Sequence, residues 1–491
     1  MREHLTEENG ELHSEDNSLL LKTWVSFCFS FGQMEPHMEV EIISEETIRP
    51  SSSKLSDLTT LRLSLLDQLS PPVYIPVILY YHMNPDVDLD KIKHVAARLK
   101  VSLSKTLSHF YPLAGRIKDP FSIDCSNEGI LFRQANVTCN FSEFLEKPRT
   151  DSLEKFLPCP LFSNEPDNSK VHVAVQLNIF ASGSGIAIGA CFLHKLVDAA
   201  SMAAFLKCWA AIARDEDDKA ALVSSNVDFE AASQLFTPSK VVPSGNQFLL
   251  SDDWPLKAVK AVCKRFVFDA TAISRLKAEA TSELLSNPSR VMVVLGFIWK
   301  CIMAVSKNPK SPSVLTFAVD MRRRMVPHLS PNCIGNMVWQ AMASTTPGEK
   351  DELRHLVCLM RAAMAKVNHD HTKSLQGETG LAAVSKLKEE LKEMQSRGNR
   401  GGGPDNTVSL MNSWCGFGFN EVDFGWGKPM WVSNVGGQYD YLAVNIVVLM
   451  ENGVAGEEIE AWITLAENEM SLLEHDPEFR SFASLNPSIT A

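Results

Sequence analysis

The sequence predicts an α/β fold with partly mixed sheets, divided between two domains. The chain has 491 residues, more than one ordinary hydrophobic core accommodates. Strand-like and helix-like patterns are interspersed in both halves. An acidic stretch that also contains proline lies between the halves. We therefore expect an N-terminal domain at 38–214, a crossover linker at 215–254 and a C-terminal domain at 255–491. We expect residues 1–37 to be a disordered or non-native extension.

The first half shows several segments with clear periodicity. In the segment from Val171 to Phe180, apolar residues alternate with His172, Gln176 and Asn178, which predicts a strand with one buried and one wetter face. A Gly-punctuated apolar run follows and predicts a buried strand. The expected elements are strands at Val40–Ile43, Val73–Tyr81, Val171–Phe180 and Gly185–Leu193, a helix at Asp90–Phe110 and a helix after Asp198.

The second half repeats this mixture of elements. Its Gly-rich run at Arg397–Gly403 lacks the Gly-Lys-Ser/Thr ending of a phosphate-binding loop, so we interpret it as a flexible connector. The expected elements are strands at Arg265–Phe268, Val314–Val319, Val444–Met450 and Glu458–Leu465, and helices at Ile273–Leu285, from Ser289, within Glu349–Met394 and at Glu467–Leu473.

Composition limits the classes of function. The formal net charge is -12, and no basic run with interleaved aromatic residues occurs, which argues against nucleic-acid binding. No run of 18 apolar residues occurs, so we expect no membrane span. The 11 cysteines are scattered singly, which indicates reduced thiols and a reducing compartment such as the cytoplasm.

The stretch His194-Lys-Leu-Val-Asp198 joins the predicted buried strand to a predicted helix. A neutral imidazole at a strand end can act as a general base, although the spacing alone is more typical of a hydrogen-bonded structural histidine. Asp198 precedes the helix, where its carboxylate can cap the N–H groups or pair with a cation. A zinc site on Cys191, His194 and Asp198 lacks further ligands at suitable spacing, so we expect no metal.

A second unusual stretch is Asp423-Phe-Gly-Trp-Gly427. Gly425 and Gly427 permit positive φ or close backbone approach around the tryptophan. The stretch contains neither a nucleophile nor an obvious base. A serine hydrolase is disfavoured as well, because the G-x-S-x-G elbow is absent around Ser182–Gly185.

Taken together, these two distant motifs resemble those of the plant BAHD acyltransferases. The resemblance covers the chain from Met38 onward, and its vinorine synthase-like branch of alkaloid and terpenoid O-acetyltransferases is the most similar. It is carried by His194–Asp198, Asp423–Pro429, Leu103–Arg116, Met321–Met325, Gly335-Asn336, Ser413-Trp414 and Ile48–Ser52.

The resemblance implies two similar domains of the chloramphenicol-acetyltransferase kind, with mixed sheets flanked by helices, joined by a long crossover loop. It implies an acyl-CoA co-substrate, with acetyl-CoA expected and no tightly bound cofactor. His194 would deprotonate the acceptor hydroxyl without an acyl-enzyme, and the indole N–H of Trp414 would stabilise the oxyanion. Asn412 stands where relatives often have threonine.

The resemblance also assigns supporting residues. Asp198 would form a salt bridge with Arg290 and point away from the reaction. Arg322 and Arg324 would lie near the CoA channel and are the candidate residues for contact with CoA. Asp423, Gly425 and Gly427 would support the fold at a distance from the chemistry.

These expectations describe a monomer that binds acyl-CoA and a small-molecule alcohol, with no nucleic-acid or membrane partner. Two alternatives stay open at this point. One is N-acylation of an amine or polyamine, which acidic channel-lining residues would favour. The other is a relative without activity that only binds a small ligand.

Overall fold

The structure is a computed structural model that describes residues 38–52, 59–83, 89–161, 170–214, 227–240, 259–283, 285–306, 312–345, 352–396, 407–439, 444–453 and 456–489. Val40–Ala491 forms one compact unit, and Met1–Glu39 is a separate one. The predicted extension at 1–37, most of the linker at 215–254 and the connector at 397–403 lie outside the described residues.

The strands occur along the whole described chain. In chain order they are β1 (Val40–Ile48), β2 (Thr60–Arg62), β3 (Tyr74–His82), β4 (Arg116–Asp119), β5 (Ser122–Asp124), β6 (Ile130–Val137), β7 (Val173–Phe180), β8 (Gly185–Leu193), β9 (Ala261–Phe268), β10 (Ser313–Asp320), β11 (Val338–Thr345), β12 (Thr407–Ser413), β13 (Trp431–Ser433), β14 (Gly437–Tyr439), β15 (Asn445–Asn452), β16 (Glu458–Ala466) and β17 (Ser484–Leu485).

The α-helices alternate with these strands. In chain order they are α1 (Leu65–Leu69), α2 (Leu89–His109), α3 (Phe141–Glu146), α4 (Ala199–Ala213), α5 (Ala231–Leu235), α6 (Ala270–Ala280), α7 (Arg290–Val305), α8 (Leu353–Lys366), α9 (His369–Ser374), α10 (Gly380–Ser396), α11 (Glu467–Leu473) and α12 (Pro477–Arg480).

The first large sheet has the strand order β1-β6-β7-β8-β3-β13. Strands β6 and β7 are parallel, whereas the other neighbours are antiparallel, so the sheet is mixed. All nine residues of β8 are buried, as its apolar sequence predicts. Strand β13 comes from the second half of the chain and pairs with β3, so the C-terminal half completes this sheet.

The second large sheet has the order β11-β10-β12-β15-β16-β9-β14, with β17 paired to β9. Strands β10, β12 and β15 are mutually parallel, and the remaining pairs are antiparallel. Residues of α6, α7 and α8 share one hydrophobic core with one face of this sheet. The predicted α/β class with mixed sheets flanked by helices is confirmed.

The prediction of a wetter face on β7 is wrong. His172, Gln176 and Asn178 are all fully buried. One nitrogen of each side chain has a partner inside the protein: the His172 ring bonds the Pro112 carbonyl, and Gln176 and Asn178 donate to the carbonyls of Lys155 and Phe156. Among the described residues, His172 Nε2 and Gln176 Oε1 have no partner. Internal hydrogen bonds therefore allow polar residues on a strand that is covered on both faces.

The described part of the crossover, 227–240, packs against the protein. It contains α5, and Phe236 is fully buried after it. The Phe236 carbonyl accepts a hydrogen bond from the N–H of Leu65, and the Asp228 carbonyl accepts one from the N–H of Ile334. This segment therefore connects α1 with the chain that leads into β11.

Candidate active site

His194 is the first residue after β8. Its N–H donates to the Val73 carbonyl at 2.8 Å, which fixes the backbone where the strand ends. The Nδ1 atom of the ring is buried and has no hydrogen-bond partner among the residues that the structure describes. Burial lowers the pKa of His194 below its ordinary value of 6.5, although the nearby Asp198 carboxylate opposes this effect. A neutral imidazole near pH 7 is in the form that accepts a proton.

Asp198 caps α4, as predicted from its position. Its Oδ1 accepts the N–H of Ser201 at 2.9 Å. Its Oδ2 accepts the N–H of Met337 at 3.0 Å. Burial favours the neutral acid, but the charge and hydrogen bonds of Arg322 outweigh it and hold the pKa of Asp198 below its usual range. Asp198 is therefore an ionised carboxylate with its acceptor positions filled.

The cation that pairs with Asp198 is Arg322, so the predicted pair of Asp198 with Arg290 is wrong. The two guanidinium nitrogens of Arg322 donate to Asp198 at 2.8 and 3.1 Å. Arg290 begins α7 and instead contacts Glu451 at 3.0 Å and the Gly456 carbonyl. The reason is topological, because the N-terminus of α7 lies beside the β15–β16 connection and not beside α4.

Arg322 is only 1% exposed, so the expectation that it contacts CoA is also wrong. Its remaining hydrogen bonds go to Asp320, Ser201 and the carbonyls of Cys333 and Gly335. Arg324, the other arginine of that expectation, is half-buried and donates to the carbonyls of Met364 and Val367.

Asn336 links the turn at residues 194–196, here called the His194 turn, to α1, a role that the sequence did not reveal. Its side-chain Nδ2 donates to the His194 carbonyl at 2.8 Å and to Asp67 Oδ1 at 2.9 Å. Its backbone N–H also donates to Asp67 at 2.8 Å. Burial raises the pKa of Asp67, against the opposing hydrogen bonds from Ser64 and Asn336. The Ser64-x-x-Asp67 spacing of a capping box was the available signal.

Lys195, the residue after His194, is also bound to α1. Its Nζ donates to the Gln68 carbonyl at 3.0 Å, and the Gln68 side chain exchanges two hydrogen bonds with the backbone of Ser239. The His194 turn is therefore fixed through α1 to the crossover segment as well as to Asn336.

Trp414 is the first residue after β12, at the C-terminal end of this central strand of the second sheet. Its backbone N–H donates to the Leu449 carbonyl at 2.8 Å, and its side chain is 8% exposed. The parallel strands β10 and β12 are last paired at Phe317 and Met411. Asp320 and Trp414 each lie three residues beyond this pair. Both residues therefore lie at the C-terminal ends of these two parallel strands. Asp320 contacts Arg322, which also binds Asp198. The C-terminal ends of β10 and β12 therefore lie on the side of the second sheet that faces Asp198.

The Asp423–Gly427 stretch forms a closed loop. Asp423 Oδ1 accepts the N–H groups of Gly425 and Gly427 at 2.7 and 3.0 Å. Both glycines have positive φ, at 103° and 105°, which other residues adopt only with strain. The loop therefore depends on one carboxylate and two glycines.

This loop packs against β3 and α4. Tyr81 donates its hydroxyl to the Val422 carbonyl at 2.8 Å, and Arg214 donates to the Asp423 carbonyl. The Trp426 ring lies below the Arg98 guanidinium at 4.7 Å. These contacts tie the loop to elements from the first half of the chain.

The lengths of β8 and α4 indicate how far this loop lies from His194. Tyr81 pairs with Ile186 on β8, eight residues before His194, which corresponds to about 26 Å along a strand. Arg214 follows α4, sixteen residues after Asp198, which corresponds to about 24 Å along a helix. The loop therefore lies at the opposite end of both elements from the His194 turn.

Within the described residues, no group of three or more His, Cys, Asp or Glu side chains has the geometry of a metal site. Across the same residues, no helix is both long and apolar enough to cross a membrane.

Comparison with known proteins gives concordant matches. Residues 38–480 match the Transferase family. The epi-neemfruitin B 7-O-acetyltransferase of Melia azedarach is 38% identical, over 92% of this chain and 100% of that protein. The stemmadenine O-acetyltransferase of Catharanthus roseus is 36% identical, over 90% and 97%. The crystal structure of vinorine synthase matches with a TM-score of 0.73 and 31% identity, covering 91% of this chain and 99% of that one.

Proposed function

This chain belongs to the Transferase family, the BAHD acyl-CoA-dependent O-acyltransferases, and we propose that it transfers an acetyl group from acetyl-CoA to a hydroxyl of a polycyclic specialised metabolite. The observation that carries this proposal is the His194 turn. It presents a neutral imidazole at a strand end, on a backbone held by Val73 and Asn336. A preorganised base of this kind suits proton removal from an alcohol.

In the proposed reaction, His194 accepts the proton of the acceptor hydroxyl. The alkoxide oxygen then attacks the thioester carbonyl carbon and forms the new C–O bond. The resulting tetrahedral oxyanion collapses, the C–S bond breaks, and the CoA sulfur leaves with the electron pair. The imidazolium returns its proton to that sulfur. No acyl-enzyme is needed, because the acceptor and acyl-CoA react directly.

The tetrahedral oxyanion requires a hydrogen-bond donor, and we propose the indole N–H of Trp414. Its position beside the C-terminal ends of β10 and β12 supports this role. A preorganised donor of this kind is typically worth about 3 kcal/mol. Asn412 lies two residues earlier on β12, and its amide is the second candidate donor.

The supporting residues act through the fold. Asp198 is a positioning residue, because it caps α4 and joins that helix to Arg322 and Met337. Asp423, Gly425 and Gly427 stabilise the far end of α4 and β3. Arg290 holds the β15–β16 connection through Glu451. Arg324, with part of its side chain accessible, is the remaining arginine proposed to meet CoA.

The acceptor proposal comes from the relatives. Of two 38% identical relatives, one is named epi-neemfruitin B 7-O-acetyltransferase and the other limonoid 7-O-acetyltransferase, and a 36% identical relative is named stemmadenine O-acetyltransferase. We propose a hydroxyl on a terpenoid or alkaloid skeleton. We also propose that the protein acts as a cytoplasmic monomer with an N-terminal domain at 38–214 and a C-terminal domain at 255–491.

The test is to incubate the purified protein with acetyl-CoA and a panel of terpenoid, alkaloid and polyamine acceptors. The expected result is CoA thiol release, together with a product that carries one acetyl group as an ester. Amide formation on the polyamines alone would support the N-acyltransferase alternative. Acceptor binding without any CoA release would support a relative that only binds ligands.

A further inference from the structure

The chain turns where β12 ends, at residues 414–418, here called the Trp414 turn. The backbone N–H of Trp414 donates to the Leu449 carbonyl at 2.8 Å, and the N–H of Phe417 donates back to the Trp414 carbonyl. Gly416 lies at the bend with a φ of 83°, a value that other residues adopt only with strain. The shape of this turn therefore sets the direction in which the Trp414 side chain leaves the strand.

The indole of Trp414 is oriented by its backbone and by packing. Its Nε1–H has no acceptor among the described residues, whereas the indole N–H groups of Trp209 and Trp299 donate to oxygens inside the protein. The ring packs against Phe419, with 5.6 Å between the ring centroids. The N–H is therefore available to an oxyanion, and its direction depends on how firmly the Trp414 turn is held.

Glu451 holds the middle of the Trp414 turn from the second sheet. Its Oε2 accepts the N–H of Gly416 at 2.9 Å, two residues after the tryptophan. Glu451 lies on β15, two residues after Leu449, which accepts the N–H of Trp414. One strand therefore binds two N–H groups of the turn and fixes its tilt as well as its position.

Arg290 in turn fixes the side chain of Glu451. Its guanidinium donates to Glu451 Oε1 at 3.0 Å and to the Gly456 carbonyl in the β15–β16 connection. Arg290 is the first residue of α7, and the buried side chains of this helix belong to the core of the second sheet. The two oxygens of Glu451 therefore have separate partners, with Arg290 on one and the Gly416 N–H on the other.

Lys207 holds the other end of the Trp414 turn from α4. Its Nζ donates to the Phe417 carbonyl at 2.6 Å. Asp198 caps α4, so this is the helix that follows the His194 turn. A carboxylate from the second sheet and an ammonium group from α4 thus hold the same five residues. Such anchors matter for an oxyanion donor, because a misplacement of about 1 Å can cost about 10²-fold in rate.

From these contacts we propose that Glu451 is a positioning residue for acyl transfer, which holds Gly416 and thereby aims the indole N–H of Trp414 at the oxyanion. Arg290 supports it by fixing the carboxylate. This inference rests on the proposed function and deepens it, because it names groups that act without touching a reacting atom. Since the oxyanion exists only after attack on the thioester, loss of Glu451 should lower kcat and leave KM for acetyl-CoA nearly unchanged.

The test is a double-mutant cycle on Glu451→Leu and Trp414→Phe, measured by thiol release from acetyl-CoA. Trp414→Phe removes the donor and should lower kcat about 10²-fold. Glu451→Leu alone should lower kcat about tenfold, with KM within about twofold. Glu451→Gln should lie between Glu451→Leu and the parent, because its amide oxygen can still accept the Gly416 N–H. In the Trp414→Phe background, Glu451→Leu should have no further effect.

The matched control is Glu474→Leu. Glu474 directly follows α11, has a side chain of similar exposure, and pairs with Lys264 instead of with the Trp414 turn. Its substitution should leave kcat unchanged. Partly exposed ion pairs contribute little to folding stability, so Glu451→Leu and Glu474→Leu should both remain folded in a thermal unfolding experiment.

A second measurement needs no turnover. In protein labelled with fluorotryptophan, the fluorine NMR resonance of Trp414 is assigned by its loss in Trp414→Phe. We expect this resonance to shift or broaden in Glu451→Leu and to stay in place in Glu474→Leu, because only the first change frees the Trp414 turn.

An equal loss of kcat from Glu451→Leu in both backgrounds, or an unshifted Trp414 resonance, would overturn the inference. An undiminished kcat in Glu451→Leu would do the same and leave the proposed acetyl transfer standing. Full activity of Trp414→Phe would remove the donor role and this inference with it. Failure of thiol release with every acceptor would instead contradict the proposed function, and the fluorine resonance would still decide whether Glu451 orients Trp414.

Discussion

The guanidinium of Arg322 binds both carboxylate oxygens of Asp198, at 2.8 and 3.1 Å, where both side chains are almost completely buried. The pair joins the start of α4 to the chain between β10 and β11. The carboxylate also accepts the N–H groups of Ser201 and Met337. One side chain therefore couples the segment after His194 to the second sheet.

Arg322→Met should destabilise the protein by about 3 to 5 kcal/mol, because it leaves the Asp198 carboxylate buried without its cation. Arg290→Met is the matched control. Arg290 pairs with Glu451 in a partly exposed bridge, so this change should cost about 1 kcal/mol or less. Chemical denaturation of both variants measures the difference. Equal losses for the two arginines would contradict the assignment of Arg322 as the partner of Asp198.

Asp423→Ala should lower the melting temperature, because two N–H groups lose their acceptor and the loop on α4 and β3 loosens. The expected loss is about 2 kcal/mol of unfolding free energy. Because the loop lies far from His194, KM for the acceptor should stay within about twofold while the protein is folded. Thermal unfolding and steady-state kinetics at low temperature separate the two effects. A large rise in KM without loss of stability would show that the loop contacts a substrate.

His172→Gln should flatten the loss of stability in acid. Burial lowers the pKa of His172 to about 4, below its ordinary value of 6.5. The unfolded chain therefore takes up this proton before the folded one does, and stability falls as the pH drops from about 6.5 towards 4. Between pH 7 and pH 5 this histidine accounts for a loss of about 2 kcal/mol.

Urea unfolding at the two pH values measures that loss, and His172→Gln should reduce it even though the variant is less stable overall. Substituting the exposed His328 by glutamine serves as the control for the loss of a histidine at the surface. An unaltered slope in the His172 variant would mean that this ring is not the source of acid lability.

The spacing of apolar residues along the sequence predicted most of the long strands and helices, because this spacing reflects which side chains are buried. The nine apolar residues of β8, the helix after Asp198 and the helix that begins after Ser289 all lie where the pattern predicts them. Strand β13 was not predicted, because it has only three residues and its partner β3 is far away in sequence. Strand β7 shows the other limit, since alternation of polar residues does not distinguish solvent from buried hydrogen-bond partners.

The candidate site was predictable where one residue type decides its chemistry. The place of His194 at a strand end and the capping role of Asp198 follow from their positions between a predicted strand and a predicted helix. Their partners depend on tertiary structure. Arg290 and Arg322 look equally suitable in sequence, and only the placement of α7 beside β15 and β16 separates them. Asn336 acts through contacts 142 and 269 residues away, which no local pattern encodes.

The pH dependence of turnover should follow the ionisation of His194. Because burial holds the pKa of its imidazole below the ordinary value of 6.5, the midpoint of the acid limb of kcat/KM should lie below pH 6.5. Thiol release measured in buffers of constant ionic strength gives this profile. A midpoint above pH 6.5 would indicate that a different group supplies the base.

The central claim is that His194 is the general base, and the most direct measurement is the rate of CoA thiol release by His194→Ala, with the buried His172→Gln variant as the histidine control. We predict that His194→Ala loses about 10²-fold to 10⁴-fold in kcat. It should keep its unfolding transition and its affinity for acetyl-CoA, while His172→Gln at pH 7 retains most of its activity. Turnover by folded His194→Ala at the unaltered rate would contradict the account.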